Sequence, residues 1–491
     1  MKKIVLVNPP SSPLPQPLFP LSVMAAGAIL DAQGYQVEII NGSLDSAGFI
    51  KQAVEKCRGA ICLGISAMTG YQIEAGLALS RSVREYFPDL PIIWGGWHGS
   101  ILPRETVKDS LVDIVVCGQG ERTIFEAVQA LEAGNRDFSG ISGLAYKREG
   151  GVTVTPGRPF ENINQFPPMP YHLVDAEPIL QWRVQNGLGR MLDYTSSQGC
   201  PHNCTFCAEP MVMGRRWSGL SADRIADEWS RLTEKYRLDA IGLLDSNCFV
   251  DRKRVEDLCA RLVQFRRPIT WHNANATIKA LVDYTPDMWE LLAASGCRSI
   301  LVGAESGSQD MLELVDKKCT TDDIIKVAEF GSRYGIMISF SFMTGLPTQA
   351  GIAGLEKEFK ATLRMIHDIL RINRLHDIKL FLYTPYPGSP LYDVSLKKGL
   401  KVPSTLGEWS KFELGNATTP WVSARFKETV DRVRMYTIPY FQRETAGGYK
   451  PFSLLKRLLI RLSGFRLRHG FLGFPIESRI LHWWWKRKGI L

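Results

Sequence analysis

Three cysteines lie within eight positions of one another in the segment SSQGCPHNCTFCAE, residues 196–209. Cys200, Cys204 and Cys207 follow the spacing C-x3-C-x2-C, and thiolates grouped in this way bind zinc or an iron–sulfur cluster. A structural zinc site closes four ligands; His202 inside the segment is a candidate for the fourth, and the next cysteine is only Cys248. Three thiolates on a four-iron cluster leave one iron open to a substrate or cofactor. We favour the cluster because the segment follows a predicted strand.

The composition is that of a soluble globular protein with two or three domains. Hydrophobic residues make up 45% of the 491 residues and charged residues 22%. The start, MKKIVLVNPPSS, has an apolar run too short for a signal peptide, and no apolar run approaches the roughly 18 residues of a membrane span. The remaining cysteines are scattered, which excludes a disulfide framework. The sequence therefore predicts a cytoplasmic protein.

The net charge of +9 is concentrated in one tail. Residues 450–491 contain ten Lys or Arg and one acid, Glu477. The segment 452–463 has an amphipathic leucine pattern, and Trp483, Trp484 and Trp485 lie beside cations. This composition is typical of an element on an anionic membrane surface, so the sequence predicts peripheral attachment to the inner membrane face. The alternative is a helix that docks on the rest of the protein. Nucleic-acid binding is disfavoured because leucine and tryptophan dominate the tail.

Residues 1–155 alternate apolar strand runs with helix-length segments. The strand runs are 4–8, 37–40, 60–66, 91–96 and 113–118. This alternation predicts an α/β fold with a doubly wound parallel, Rossmann-like sheet, whose ligand lies at the carboxyl ends of the strands. Plain βα turns are the alternative interpretation of those strand ends. The candidate binding residues there are Asn8, Pro9, Ser66, Thr69, Gly96, His98, Gly118, Gly120 and Glu121.

A second alternating series follows a proline-rich linker, residues 156–190. Six strands are predicted at 191–197, 240–245, 269–273, 299–305, 336–345 and 378–383. They predict a partial (β/α)6 barrel over residues 191–400, followed by a basic helical region, residues 401–491. The cysteine segment follows the first of these strands, where the active site of such a barrel is expected.

The motifs of both regions resemble one known family. CPHNCTFC resembles the signature of radical S-adenosylmethionine (SAM) enzymes. The segments GLLDSNCFVDRKRVEDLC, GCRSILVGAESGS, SFMTGLP and YTPYPGSPLYD, with NPP, GGWHGS and GQGE before them, resemble the subgroup with an N-terminal cobalamin-binding domain. The resemblance covers roughly residues 1–400 and implies three cofactors: a 4Fe-4S cluster, SAM and cobalamin.

The resemblance also implies roles for individual residues. The three cysteines would ligate three irons, and SAM would chelate the fourth. Glu305, Ser306 and the backbone near Gly345 would help to hold SAM. Residues 245–247, Asp-Ser-Asn, replace the Gly-Gly-Glu turn of many relatives, so the contact to the SAM amino group is left open. The chain lacks the D-x-H-x-x-G motif that supplies a cobalt-ligating histidine, and we expect His98 to lie near the corrin without binding cobalt.

The activity implied by the resemblance begins with reductive cleavage of SAM, with electrons from a flavodoxin or ferredoxin. The resulting 5′-deoxyadenosyl radical takes hydrogen from an unactivated carbon, for C-methylation of a lipid, isoprenoid or other hydrophobic substrate. Radical cyclisation, ring rearrangement and carbon–carbon coupling are alternatives, as is RNA methylthiolation. The last needs a second cluster on three N-terminal cysteines; Cys57, Cys62 and Cys117 have instead the pattern of small buried residues.

Overall fold

The computed structural model describes residues 2–12, 17–148, 150–347, 351–412, 419–442, 454–473 and 475. The predicted fold class is confirmed: a parallel α/β domain precedes a parallel partial barrel and a helical C-terminal region.

The first domain is built on one seven-stranded sheet. Its strands are β1 (Lys3–Asn8), β2 (Gln36–Asn41), β3 (Ala60–Ser66), β4 (Ile92–Gly95), β5 (Ile114–Val116), β6 (Leu144–Arg148) and β7 (Gly151–Val154). Its helices are α1 (Leu21–Ala32), α2 (Phe49–Cys57), α3 (Tyr71–Tyr86), α4 (Gly96–Ile101), α5 (Pro103–Lys108) and α6 (Glu121–Glu132). The strand order is β2-β1-β3-β4-β5-β6-β7, with β1 to β5 parallel and β6 and β7 antiparallel.

The apolar runs of the central strands are buried because helices cover both faces of the sheet. Residues 4–7 of β1 are at most 1% exposed. Helices α1 and α6 pack together, as do α2 and α3. The chain order changes direction between β1 and β3, and the carboxyl ends of parallel strands on either side of such a point form a ligand crevice.

The segment predicted as a linker contains ordered elements. It includes 3-10 turns at Ile163–Gln165 and Tyr171–Leu173 and helix α7 (Glu177–Gln185). Arg183 of α7 donates two hydrogen bonds to Asp193, at 3.0 and 2.8 Å, and both side chains are buried. Asp193 also accepts from the backbone N of Phe19, so one carboxylate joins this segment to the first domain and the barrel.

The barrel wall consists of two adjoining parallel sheets. Its strands are β8 (Met191–Tyr194), β11 (Ala240–Leu243), β12 (Thr270–His272), β13 (Ala274–Ala276), β14 (Ser299–Glu305), β15 (Met337–Thr344) and β16 (Asp377–Leu382); a small hairpin, β9 (Ser197–Gly199) and β10 (Trp217–Gly219), lies at the mouth. The sheet orders are β12-β11-β8 and β13-β14-β15-β16. The third predicted strand, 269–273, corresponds to β12; the chain leaves strand geometry at Asn273, whose φ is +60°, and β13 follows beyond the predicted segment.

Helices alternate with these strands, and several begin at a side-chain cap. Ser221, Asp251, Thr285 and Thr320 each accept a hydrogen bond from a backbone N–H in the first turn of the helix that follows. The helices are α8 (Glu209–Met213), α9 (Ala222–Tyr236), α10 (Arg252–Val263), α11 (Ile278–Val282), α12 (Pro286–Ala294), α13 (Gln309–Leu314), α14 (Thr321–Arg333), α15 (Gly351–Ile372) and α16 (Pro390–Lys397).

The C-terminal region packs on both domains: its first turn contacts α3 of the first domain, and its helices lie against the barrel. A 3-10 turn at Gly407–Lys411 precedes α17 (Ala424–Arg432), a π-helical turn (Val433–Thr437), α18 (Ile438–Gln442) and α19 (Leu454–His469). Helix α19 packs on α15 and α18 and buries Ile460 and Leu467. Helix α19 therefore docks on the rest of the protein, as the alternative interpretation of the tail predicted. The tryptophans at 483–485 lie outside the described residues. No described helix is long and apolar enough to cross a membrane.

Candidate functional site

A cleft lies between the strand ends of the first domain and the cysteine side of the barrel. It holds about 1210 Å³ free of protein atoms and is open to solvent. Of the nine residues predicted in the first domain, Ser66, Gly96, Gly118, Gly120 and Glu121 line it. The opposite wall comes from the barrel and includes Gln198, Glu209, Val212, Met213, Leu244 and Ser246.

Asn8, Pro9, Thr69 and His98 do not line this cleft. His98 lies on α4, whose cleft-facing side carries Gly96, Trp97 and Ser100. The His98 side chain points into the protein: it is 1% exposed, its Nδ1 is 3.0 Å from Oγ1 of Thr69, and its ring centre is 5.6 Å from that of Trp409. Burial lowers the pKa of His98 to about 4. The helical turn after β4 directs this histidine away from the cleft.

Two glycines shape the first-domain wall. Gly96 and Gly118 have φ values of +86° and +71°, and a Cβ on Gly96 would lie 2.8 Å from the carbonyl oxygen of Ala67. Ser100 ties the two loops together, because its hydroxyl donates to the carbonyl of Gly96 at 2.7 Å and accepts from the N–H of Gly118 at 2.9 Å. The backbone is thus fixed where a ligand would approach it closely.

A chain of polar side chains crosses the cleft between the two domains. The amide of Gln198 donates to Oε1 of Glu121 at 2.5 Å, and the amide of Gln119 donates to Oε1 of Gln198 at 2.9 Å. Oε1 of Gln119 accepts from the backbone N of Glu161 at 2.7 Å. Burial raises the pKa of Glu121. Because Gln198 lies two residues before Cys200, the network connects the GQGE loop of the first domain to the start of the cysteine loop.

The three cysteines lie on the loop between β9 and α8, and all three are partly buried. The amide of Asn247 lies 3.9 Å from Sγ of Cys200, and the backbone N of Glu209 donates to Sγ of Cys207 at 3.4 Å. Burial raises the pKa of each thiol, that of Cys207 to about 12, while the ammonium group of Lys317 opposes this effect at Cys204. In the described parts of the chain, no three His, Cys, Asp or Glu side chains converge as they would around a single metal ion.

The other side of the cysteine loop faces a second cavity. It is lined by residues 201–204, by the turns after β11 and β13, and by residues 316–319, and it holds about 1140 Å³ of open space. The loop is anchored from behind: Thr205 exchanges backbone hydrogen bonds with Val315 and Leu391, and Phe206 packs beside Met343 and Tyr383. Cys204 therefore borders the second cavity, whereas Gly199 and Glu209, on either side of the three cysteines, border the cleft.

Glu305 ends β14 and is buried, as expected for a residue at the barrel mouth. It has a φ of +59°, which is costly for a residue with a side chain, and it is only 6% exposed. Its Oε1 is 2.8 Å from Nζ of Lys317, and this contact raises the pKa of the lysine against the effect of its burial. Glu305 thus forms a buried ion pair beside the cysteine loop.

Ser306 and Gly345 are tied to the scaffold next to Glu305. The Ser306 hydroxyl donates to Oε1 of Glu358 at 2.7 Å, and Thr344 donates to Oε2 of the same carboxylate at 2.8 Å. The hydroxyl of Thr362 is a third donor, at 2.7 Å. The carbonyl of Gly345 accepts from the indole of Trp421 at 2.9 Å. Glu358 therefore holds the ends of β14 and β15 together, a role that the sequence motifs did not indicate.

Asp245, in the Asp-Ser-Asn turn, supports the cysteine loop from the neighbouring strand. Its carboxylate is 1% exposed and accepts from the backbone N of Ser196 at 2.6 Å and from the hydroxyl of Ser197 at 2.8 Å. Arg254 bonds to the carbonyl of Ser196 and contributes positive charge, while burial raises the pKa of Asp245. The Asp-Ser-Asn turn therefore supports the cysteine loop through the buried carboxylate of Asp245.

Glu209 is the further residue that connects the cleft with the cysteine loop. It is 4% exposed, lines the cleft, and follows Cys207 by two positions. Burial raises the pKa of Glu209, and its Oε1 is buried with no hydrogen-bond partner among the described residues. A buried acceptor without a donor costs free energy, which a bound ligand with a polar hydrogen would offset.

Comparison with known families assigns both halves of this site. Residues 12–128 match the B12 binding domain, and residues 194–351 match the Radical SAM superfamily. The chain therefore carries an N-terminal B12-binding domain followed by a radical SAM domain. The resemblance seen in the sequence motifs is thereby confirmed.

Relatives of this B12-binding radical SAM protein include several named methyltransferases. An uncharacterized methyltransferase of Pyrococcus horikoshii is 26% identical over 478 residues, 96% of each chain. Cytidylyl-2-hydroxyethylphosphonate methyltransferase of Streptomyces wedmorensis is 23% identical over 82% of this chain and 83% of its own. Anaerobic magnesium-protoporphyrin IX monomethyl ester cyclase of Rubrivivax gelatinosus is 24% identical over 73% of this chain and 61% of its own.

Two solved structures share the fold of the B12-binding radical SAM protein along nearly its whole length. The methyltransferase TsrM of Kitasatospora setae, solved with cobalamin and a 4Fe-4S cluster, has a TM-score of 0.68 at 16% identity and covers 94% of this chain and 99% of its own. OxsB, solved with aqua-cobalamin and SAM, has a TM-score of 0.73 at 17% identity and covers 100% of this chain and 76% of its own. The two-domain architecture is common to all three.

Proposed function

We propose that the protein is a cobalamin-dependent radical SAM methyltransferase that acts on a carbon of a hydrophobic small molecule. The observation that carries the proposal is the continuity of the site. Glu209 lines the cleft of the B12-binding domain, and its backbone N–H donates to Sγ of Cys207 at 3.4 Å. A ligand in the cleft and a cluster on the cysteines would therefore be neighbours.

The cleft fits a cobalamin held by shape and backbone contacts. Gly96, Gly118 and Gly120 keep side chains out of the first-domain wall, and a Cβ on Gly120 would lie 3.0 Å from a methyl carbon of Val116. No histidine lines the cleft within the described ranges, and His98 is turned away from it. We propose Ser66, Gly96, Gly118, Gly120 and Glu121 as corrinoid-contacting residues, without a protein imidazole on cobalt.

The cysteine loop fits a 4Fe-4S cluster with SAM on its open iron. Three thiols on one partly buried loop are the donor set, and Lys317 contributes the nearby positive charge that favours thiolates. We propose that the paired Glu305, the backbone beside Gly345 and the unpartnered Oε1 of Glu209 receive polar groups of SAM. Ser306 acts through Glu358, as a positioning residue.

If these groups are bound, the cluster and SAM would supply hydrogen abstraction from an unactivated carbon, and cobalamin would supply the methyl group. The chain's own residues place the two cofactors and limit access of water. Leu21, Val212, Met213 and Leu244 make much of the cleft wall apolar, and Leu244 is 47% exposed there. This lining supports a lipid, isoprenoid or similar hydrophobic substrate, and a flavodoxin or ferredoxin is the proposed electron donor.

A second candidate is a radical cyclisation or related carbon–carbon rearrangement without methyl transfer. The cyclase of Rubrivivax gelatinosus favours it, because that relative is aligned over 73% of this chain. The methyltransferase of Pyrococcus horikoshii is aligned over 96% of each chain, which favours methylation. RNA methylthiolation is disfavoured because Cys57 and Cys62 are at most 1% exposed, and burial raises the pKa of both thiols to about 12.

The two candidates differ in whether a SAM methyl group reaches the corrinoid. The protein would be reconstituted anaerobically with iron, sulfide and cobalamin, reduced, and incubated with SAM carrying a trideuterated methyl group. Mass spectrometry of the released corrinoid should detect the label if the protein is a methyltransferase. Consumption of SAM to 5′-deoxyadenosine with an unlabelled corrinoid would contradict methylation and support the second candidate.

A further inference from the structure

A basic pocket lies on the outer surface of the barrel, far in sequence from the cysteine loop. It is formed where α19 crosses α15 and α18, and it holds about 700 Å³ of space open to solvent. One pair of guanidinium groups comes from the end of α15 and the turn that follows it, and α19 supplies another pair, with two aromatic rings in the same pocket. The six residues that matter are Arg371, Arg374, Phe441, Arg461, Phe465 and Arg468.

The packing of α19 fixes these cations in one place. Gly464 allows the close approach of the two helices, since a Cβ there would lie 2.7 Å from the ring of Phe441. Arg374 donates to the carbonyl of Phe441 at 2.7 Å, and its guanidinium lies 4.4 Å from the centre of the Phe441 ring. The pocket is therefore held by packed elements.

Three of the four guanidinium groups of the pocket have no acidic partner among the described residues. Its lining contains no Asp or Glu. Among the described residues, Arg371, Arg461 and Arg468 form no ion pair, and Asp368 nearby is hydrogen-bonded to His367. Like charges gathered on one small surface repel one another, so an anionic ligand would relieve the repulsion. A planar guanidinium group can donate two parallel hydrogen bonds to two oxygens of one phosphate, so a phosphate group is the anion that best fits this pocket.

Exposed apolar side chains surround the same pocket. Leu458 is 62% exposed, Phe465 is 50% exposed and Phe471 is 47% exposed. Leu458 and Phe465 are seven residues apart on α19 and lie on one side of the helix, as do Arg461 and Arg468. A free phosphate ion would contact only the arginines. A phospholipid would contact the arginines through its phosphate and the exposed apolar side chains through its acyl chains.

We propose that this pocket binds the phosphate headgroup of an anionic phospholipid and thereby seats the protein on a membrane surface, with Leu458, Phe465 and Phe471 entering the interface. The proposal does not depend on the methyltransferase activity, because the pocket shares no residue with the cofactor cleft. The membrane would then contact the protein where α19 packs on α15.

The test compares two triple variants of the full chain that lose equal charge. The pocket variant is R371Q/R461Q/R468Q. The control is R81Q/R136Q/R267Q, which removes three exposed arginines elsewhere that form no ion pair among the described residues. Both would be measured by co-sedimentation with phosphatidylglycerol–phosphatidylcholine vesicles and with phosphatidylcholine vesicles at two salt concentrations. Thermal unfolding would establish that each variant is folded.

The pocket variant should bind the anionic vesicles at least about tenfold more weakly than the wild type, and the control should lose much less. F465S should also weaken vesicle binding at unchanged charge. Equal losses in the pocket variant and the control would overturn the proposal, since binding would then follow net charge alone.

Two other ligands are separated by direct probes. Saturable binding of inorganic phosphate without vesicle binding would make the ligand a free phosphate and overturn the membrane assignment. A short RNA whose binding is lost in the pocket variant, with vesicle binding unchanged, would also overturn it. Unchanged vesicle binding by F465S would remove the interfacial role of the aromatic side chain and contradict the proposal as stated.

Discussion

The orientation of His98 determines whether its imidazole could ligate a cobalt ion bound in the first domain. The side chain is buried against Trp409 and contacts Thr69, on the side of α4 opposite the cleft. The sequence placed His98 near the corrin because it follows a strand end. It could not reveal which side of the following helical turn the ring occupies, since that depends on the C-terminal residue Trp409 packing on this domain.

The burial of His98 predicts a pH-dependent contribution to stability. Burial lowers the pKa of His98 to about 4, from an ordinary value near 6.5, so the unfolded chain binds more protons between these values. The free energy of unfolding should therefore fall as the pH drops from about 6.5 towards 4. Urea unfolding of the wild type and H98Q between pH 7 and 5 should show a steeper fall for the wild type. Parallel curves would contradict a buried neutral histidine.

Replacing Glu358, which lies outside every sequence motif, should strongly destabilise the barrel mouth. In E358A the hydroxyls of Ser306, Thr344 and Thr362 lose their common acceptor in a buried site, at a cost of about 2–4 kcal/mol in the free energy of unfolding. E358Q retains an acceptor and should lose less. Both would be measured by urea unfolding, together with SAM affinity by calorimetry. Wild-type stability in E358A would contradict the bracing role.

The residues that the sequence missed share one property. Gln198 and Glu358 take part through contacts with elements that are distant along the chain, Lys317 pairs with Glu305 across the turn after β14, and Glu209 lines a cleft whose other wall is the first domain. The cysteines, by contrast, could be identified because their spacing within one loop is itself the signal. Local spacing is visible in a sequence, whereas a polar network across a domain boundary requires the tertiary arrangement.

Among the elements, the apolar runs were sufficient to predict the parallel strands of both domains except β13. Strands buried on both faces have near-continuous apolar sequences, as in β1 and β15. The antiparallel hairpin β6–β7 was missed because its residues are largely polar or half exposed. Helix α7 was missed because a proline-rich stretch surrounds it, and its buried partner Asp193 lies in another element.

Because α19 packs on α15 and α18, two truncations of the C-terminal region should have different effects on the melting temperature. Removing residues 454–491 uncovers the surface of α15 and α18 on which Ile460 and Leu467 are buried, so the melting temperature should fall by several degrees. Removing only residues 476–491 takes away cations but none of the described packing. Differential scanning fluorimetry of both proteins measures this difference. Equal melting temperatures for all three proteins would contradict the docking of α19.

At the scale of the whole molecule, the two domains form one site because the cleft wall comes from both. Gln198, at the start of the cysteine loop, bonds directly to Glu121 of the first domain. Arg183 and Asp193 fix the connecting segment behind this contact. The arrangement makes the position of the cysteine loop depend on the B12-binding domain, which an isolated barrel would lack.

The most direct measurement is the iron and cobalt content of one anaerobically reconstituted sample. We predict about four irons and one cobalt per chain, with iron lost and cobalt retained when Cys200, Cys204 and Cys207 are all replaced by alanine. Stoichiometric zinc without iron, or iron without any bound corrinoid, would contradict the claim that this cleft joins a cobalamin to an open-iron cluster.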